Sequence, residues 1–94
     1  MEYIKCIWYH HDEDEPETIY SEVDNKREET RKIEIYKSGK FGIAAGNISI
    51  GGTYLADVDV PRISDINKDK QFKAIEIDKN DFEEVWKKYI SYIK

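Results

Sequence analysis

The feature that most constrains the fold of this chain lies at its C-terminal end, where Phe82, Val85, Trp86, Tyr89 and Ile93 recur at i, i+3, i+4, i+7 and i+11. That spacing puts five apolar side chains on one stripe of an α-helix. Asp78 stands where an N-cap oxygen is needed and Asp81 falls in the first turn, while Lys87, Lys88 and Lys94 load the other end, each where the helix dipole favours its sign. A helix with one apolar stripe must lie on an apolar surface, and almost everything before it is patterned for strands. The chain is therefore expected to fold as α+β, with a single antiparallel sheet of about five strands, a short helix, and the C-terminal helix packed on one face.

The strand pattern is readable from Tyr3 onward. Ile4, Cys6 and Trp8 alternate with Tyr3, Lys5, Ile7 and Tyr9, so residues 3–10 are apolar on both faces, as in a central strand. His11 to Glu17 forms a charged loop closed by Pro16, Thr18 to Val23 resumes β-forming residues, and Asp24 to Thr30 is turn-like. Arg31–Lys37 and Lys40–Ala45 flank Ser38-Gly39, a pair suited to a tight hairpin. Asn47 to Tyr54, rich in glycine, suits a short or bulged strand that runs into a loop. A short helix is expected from Pro61 to about Lys68, with Ile63 and Ile66 on one side, and a last strand over residues 72–77.

Ninety-four residues can bury roughly 65% of their extended surface, enough for one core, so residues 1–94 are read as one domain. The longest uncharged run, Phe41 to Ala56, is rich in glycine and polar residues, and no membrane span is expected. The start of the chain has no basic region followed by an apolar stretch, and Cys6 is the single cysteine. A cytoplasmic protein without disulfides is expected, with Cys6 as a small buried hydrophobe on the face of Ile4 and Trp8.

Charge is distributed in blocks. Residues 1–25 carry eight acids and one lysine, a net −7, whereas residues 26–47 carry +3 and the remainder −1, within a total of −5. A negative domain repels a phosphate backbone, so direct nucleic-acid binding is not expected and a basic protein is the better partner. The densest cluster is His10-His11-Asp12-Glu13-Asp14-Glu15-Pro16-Glu17. Read as a calcium loop from Asp12, it has Glu17 where glycine belongs and Val23 where the bidentate glutamate belongs. Zinc-type spacing is also missing, so no metal or cofactor is expected. Ser21 and Gly51-Gly52-Thr53 lack the surroundings of a nucleophile elbow or phosphate loop. A phosphodiesterase-like site could use His10 as base, Glu22 or Glu34 as its partner and Arg31 on phosphate charge, but on alternating strands such residues more often form cross-strand ion pairs.

Taken together, Tyr3-Ile4-Lys5-x-x-Trp8-x-His10 with Asp12 and Glu15-Pro16, followed by Tyr20-Ser21-Glu22-Val23-Asp24-x-x-Arg27-x-Glu29-x-Arg31-Lys32-Ile33-Glu34-Ile35-Tyr36, form a recognisable pattern. It continues through Gly39, Thr53-x-Leu55, Pro61, Ile66-Asn67, Phe72 and Ile77 to Asp81-Phe82-Glu83-x-x-Trp86. The pattern resembles a family of short bacterial proteins known as a domain of unknown function. The chain departs from it at Cys6, where valine is usual, and in its lysine-rich hairpin. The resemblance implies a stand-alone domain and brings no defining reaction or ligand. By analogy of size and acidity, the chain looks like the immunity proteins that bacteria pair with toxins.

The leading expectation is a non-enzymatic, immunity-type protein that neutralises a basic bacterial toxin, a nuclease above all, through an acidic surface. Its partner-binding residues are expected to be His10, Asp12, Glu13, Asp14, Glu15, Glu17, Tyr20, Glu22 and Asp24, with Tyr9, Tyr20 and Tyr36 available as aromatic anchors. The alternatives are a cytoplasmic binding domain whose acidic loop serves solubility, and the small phosphodiesterase-like enzyme.

Overall fold

A computed structural model describes residues 1–93. Six strands and two helices follow one another as β1 (Glu2–Trp8), β2 (Thr18–Val23), β3 (Glu29–Ile35), β4 (Phe41–Ala45), β5 (Ile48–Ile50), α1 (Ile63–Ile66), β6 (Phe72–Ile77) and α2 (Lys79–Ser91). The strands form one antiparallel sheet in the order β5-β4-β3-β2-β1-β6. The α+β sheet expected from sequence is present, with six strands rather than about five. The two-sided apolarity of β1 is explained by its place between β2 and β6.

The β3–β4 hairpin turns through residues 37–39, not two residues alone. Tyr36 N–H donates to Lys40 O at 2.8 Å and Gly39 N–H to Tyr36 O at 2.9 Å. Gly39 sits at φ 92°, a conformation open to glycine, as three-residue hairpins require. Beyond β5 the chain must return from one edge of the sheet to the other, and residues 51–71 carry it across one face.

Strand alternation divides the core in two. On one face Tyr3, Ile33 and Ile43, with Tyr20, Ile35, Phe41 and Ile77, meet Phe82, Val85, Trp86, Tyr89 and Ile90 of α2. Phe82 is fully buried and its ring lies 5.2 Å from that of Tyr3. Asp78 caps α2, its Oδ1 accepting the Asp81 N–H at 2.8 Å. The helix ends at Ser91, so Ile93 lies beyond it and Ile90 takes the final place in the stripe. On the opposite face Ile4, Cys6, Val23 and Ala74 meet Val60, Ile63 and Ile66, so α1 covers the side away from α2. Helix α1 is one turn, shorter than the expected span from Pro61 to Lys68. Cys6 is buried as expected, and loss of water around it pushes its thiol pKa up.

A bulge decides where the charged residues of β3 point. Glu22 pairs with Arg31 but Val23 pairs with Glu29, leaving Thr30 as the extra residue. Thr30 Oγ1 donates to Glu22 Oε1 at 2.7 Å. The skipped residue turns Glu29 onto the face of Ser21 and Lys32, which strict alternation from Arg31 would not allow.

Candidate partner-binding surface

The loop between β1 and β2 is held from within. His10 Nδ1 accepts the Asp12 N–H at 3.0 Å, so its Nε2 carries the proton and donates to Pro16 O at 2.8 Å. One imidazole thus ties both ends of the acidic stretch. Asp12 Oδ1 accepts the Asp14 N–H at 2.9 Å, and the Trp8 N–H donates to Glu17 O while the Glu17 N–H donates to Ile35 O, both at 2.8 Å. Pro16 is buried beneath the loop, and the Trp8 and His10 rings pack edge to face at 4.7 Å.

This framework leaves Asp12, Glu13, Asp14 and Glu15 exposed and Glu17 half-buried. Among the described residues none of these five carboxylates forms an ion pair. Tyr9 stands at one flank, 55% exposed. At the other flank an open hollow of about 660 Å³ separates Glu13 and Asp14 from Tyr36, Lys40 and Phe41 of the hairpin. Burial, then Glu34 and Glu15, push the Tyr36 phenol pKa up. No group of three or more His, Cys, Asp or Glu side chains converges as a metal site among the described residues.

The other residues expected to bind a partner lie elsewhere. Tyr20 packs half-buried against the α2 face, with Lys5 Nζ 5.9 Å above its ring. Asp24 organises the β2–β3 turn, its Oδ1 accepting the N–H groups of Lys26 and Glu28 at 2.9 Å each. Arg27 takes the left-handed conformation at φ 68° in that turn. Glu22 is only 7% exposed and belongs to an internal ion-pair network. Arg31 donates to it from Nε at 2.9 Å and Nη2 at 2.6 Å, and also to Glu83 of α2 at 3.0 and 2.8 Å. The Arg31 guanidinium sits 4.8 Å from the Phe82 ring centre and 4.9 Å from that of Trp86. Its hydrogen bonds hold the carboxyls of Glu22 and Glu83 below the usual range, and the two carboxylates in turn raise the arginine pKa. Burial first, then Glu22, push the Tyr3 phenol up.

These positions also separate the parts of the conceivable catalytic trio. Glu22 lies opposite Tyr3 at the start of β1, whereas His10 follows its end, about 20 Å away along an extended strand. Glu34, the other candidate carboxylate, accepts the Thr53 hydroxyl at 2.7 Å on the face opposite Arg31. Glu83 was legible in the sequence only as part of the family pattern. Its position three residues before Trp86, on the side of the apolar stripe, is the local signal that it faces the sheet.

Much of the pattern behind the family resemblance is occupied inside the fold. Ser21 Oγ donates to Glu29 Oε2 at 2.7 Å, and Glu29 Oε1 takes both the Ala56 N–H and Lys32 Nζ. Gly42 leaves room for Thr53, whose Oγ1 would stand 1.9 Å from a Cβ built at that position. Asn67 pairs its side-chain amide with both backbone groups of Ala74, at 2.9 and 2.6 Å. Such residues serve the scaffold, and the exposed loop is what the scaffold displays. No helix among the described residues is long and apolar enough to cross a membrane.

No curated protein and no solved structure matches the chain. The family described as Domain of unknown function (DUF6881) matches residues 2–91, nearly the whole length, and the chain belongs to that family.

Proposed function

We propose that this chain is a non-catalytic binding protein of the bacterial cytoplasm that neutralises a basic toxin by docking its acidic loop over the toxin's cationic site. The carrying observation is the set of five carboxylates, Asp12 to Glu15 and Glu17, held on a loop braced by His10 and forming no ion pair among the described residues, with Lys37 and Lys40 across the adjoining hollows. A braced loop loses little conformational freedom on binding, and unpaired charges steer a cationic partner into register. A nuclease suits this surface because a site built for phosphate is itself cationic. Tyr9 and Tyr36 flank the carboxylates and supply the apolar contact that charge alone does not. Within the expected set, this assigns binding to Asp12, Glu13, Asp14, Glu15 and Glu17, gives His10 the role of brace, and leaves Tyr20, Glu22 and Asp24 to the scaffold.

The test is association with the product of an adjacent toxin-like reading frame, measured at two salt concentrations. A triple variant with Asp12→Asn, Glu13→Gln and Asp14→Asn should keep its thermal midpoint and associate about tenfold more slowly at low salt, since loss of steering acts on the on-rate. Tyr9→Ala should act mainly on dissociation. Unchanged association in the triple variant refutes the acidic-loop mechanism, and no binding by the unaltered protein refutes neutralisation of that partner.

A further inference from the structure

On the face opposite α2, the strap from Thr53 to Pro61 is fixed to β3 and to the β2–β3 turn at several points. Glu29 Oε1 accepts the Ala56 N–H at 2.8 Å, Lys32 Nζ donates to Tyr54 O at 3.0 Å, and Arg27 donates to Val60 O at 3.1 Å and Pro61 O at 2.8 Å. Arg27 also pairs with Glu2 at 2.6 Å. Between this strap, α1 and the sheet lies an open groove of about 490 Å³, with Ile4, Cys6, Ile19, Ile66 and Phe72 among its apolar lining. Val58, 76% exposed, stands on its rim. The polar groups within the groove are already used: Ser21 donates to Glu29, and Glu29 also receives Ala56 and Lys32. A small polar ligand would therefore find few free partners on the floor.

The rim has a different chemistry. Asp59, Asp65 and Asp69 line the groove and are exposed. Asp65 is paired with Lys68 at 3.1 Å, whereas Asp59 and Asp69 have no ion-pair partner among the described residues. We infer that the groove takes an aliphatic or aromatic side chain from a basic protein segment, whose neighbouring Lys or Arg lies against Asp59 and Asp69. The apolar side chain removes the lining from water without opposing any unpaired polar group, and the cation gains two carboxylates without an ion-pair partner among the described residues, of which Asp69 also accepts the Gln71 N–H at 2.9 Å. Because the strap is anchored at six backbone groups, the Val60 N–H on Arg27 O and Thr53 O under the Ser49 hydroxyl among them, the groove is formed before the segment arrives and little ordering is lost on binding.

The groove joins the acidic loop through a line of rings. Phe72 in its lining lies 5.5 Å from Trp8, and Trp8 lies 4.7 Å from His10. The inference rests on the reading of the chain as a binder of basic protein and adds a second contact for the same partner, one that recognises an apolar side chain rather than charge alone.

Selection from a phage-displayed heptapeptide library on the intact protein tests this without a known partner. Enriched peptides should place Leu, Ile, Phe or Met beside Lys or Arg, and a synthetic copy should shift the amide resonances of Ile4, Cys6, Ile19, Ile66 and Phe72. Asp59→Asn combined with Asp69→Asn, both exposed, should weaken that peptide about five- to tenfold at low salt while leaving the thermal midpoint in place. The acidic-loop triple variant should bind it within about twofold of the unaltered protein, so failure of the groove and failure of the loop give different results. Peptides without a cation or without an apolar residue, resonance shifts confined to other surfaces, or no enrichment at all would overturn the inference.

Discussion

Replacing Arg31 with Met asks how much of the fold depends on the ion pairs beneath α2. The variant keeps an unbranched apolar stem near the rings of Phe82 and Trp86 but leaves Glu22, whose side chain is 9% exposed, and Glu83, 28% exposed, without their cation. Removing one partner of a buried pair costs about 3–5 kcal/mol because the remaining charge is stranded. Loss of the guanidinium over two aromatic faces adds about 0.5–1 kcal/mol. For 94 residues the total stability is about 5–14 kcal/mol, so the loss is a large share of it. With a urea slope of about 1–1.5 kcal/mol per molar, the midpoint should fall by about 2–6 M at pH 7. The effect also has a pH signature. Arg31 hydrogen bonds depress the folded pKa of Glu22 and Glu83, so their contribution is present above the unfolded carboxylate value near 4.3 and is lost as pH falls through the folded one. Arg31→Met should therefore cost less at pH 3 than at pH 7, and adding Glu22→Gln and Glu83→Gln should recover part of the loss at pH 7. A cost below about 1 kcal/mol at pH 7, or an equal cost at both pH values, would refute the assignment of this network to stability.

Two further outcomes follow from the packing. Phe82→Ala, at a fully buried position between the sheet and α2, should cost about 3–5 kcal/mol in urea titration, and a loss under 1 kcal/mol would mean that α2 does not rest on this ring. Asn67→Ala removes both hydrogen bonds to Ala74 on the edge strand β6 and should lower the thermal midpoint by several degrees. It should also make the sedimentation behaviour concentration-dependent as the uncovered edge pairs with another copy, and a strictly monomeric variant of unchanged midpoint would show that Asn67 does not guard the edge.

The local pattern of the chain determined what periodicity can carry. The stripe from Phe82 to Tyr89, the Asp78 cap, the Gly39 turn and the alternation in β1 are each set by residues within a few positions of one another, and each stands in the structure. The inner bracing of the loop from His10 to Glu17 belongs with them, because the hydrogen bonds made by the His10 and Asp12 side chains span at most six residues, although Glu17 is also tied to Ile35 of β3. Tertiary structure decided which charged residues remain available. Glu22, Arg31 and Lys32 read in sequence as strand charges and Glu29 as part of a turn, but β3 begins at Glu29, a single extra residue at Thr30 sorts the four onto two faces, and α2 and the 53–61 strap cover both. It also decided that β6 lies beside β1, and that an acid-rimmed apolar groove arises where the strap, α1 and the sheet meet. Local spacing records which way a side chain points from its own backbone; whether it meets water, a counter-ion or a ring depends on distant segments, as Arg31 depends on Glu83, 52 positions away, and Tyr3 on Phe82.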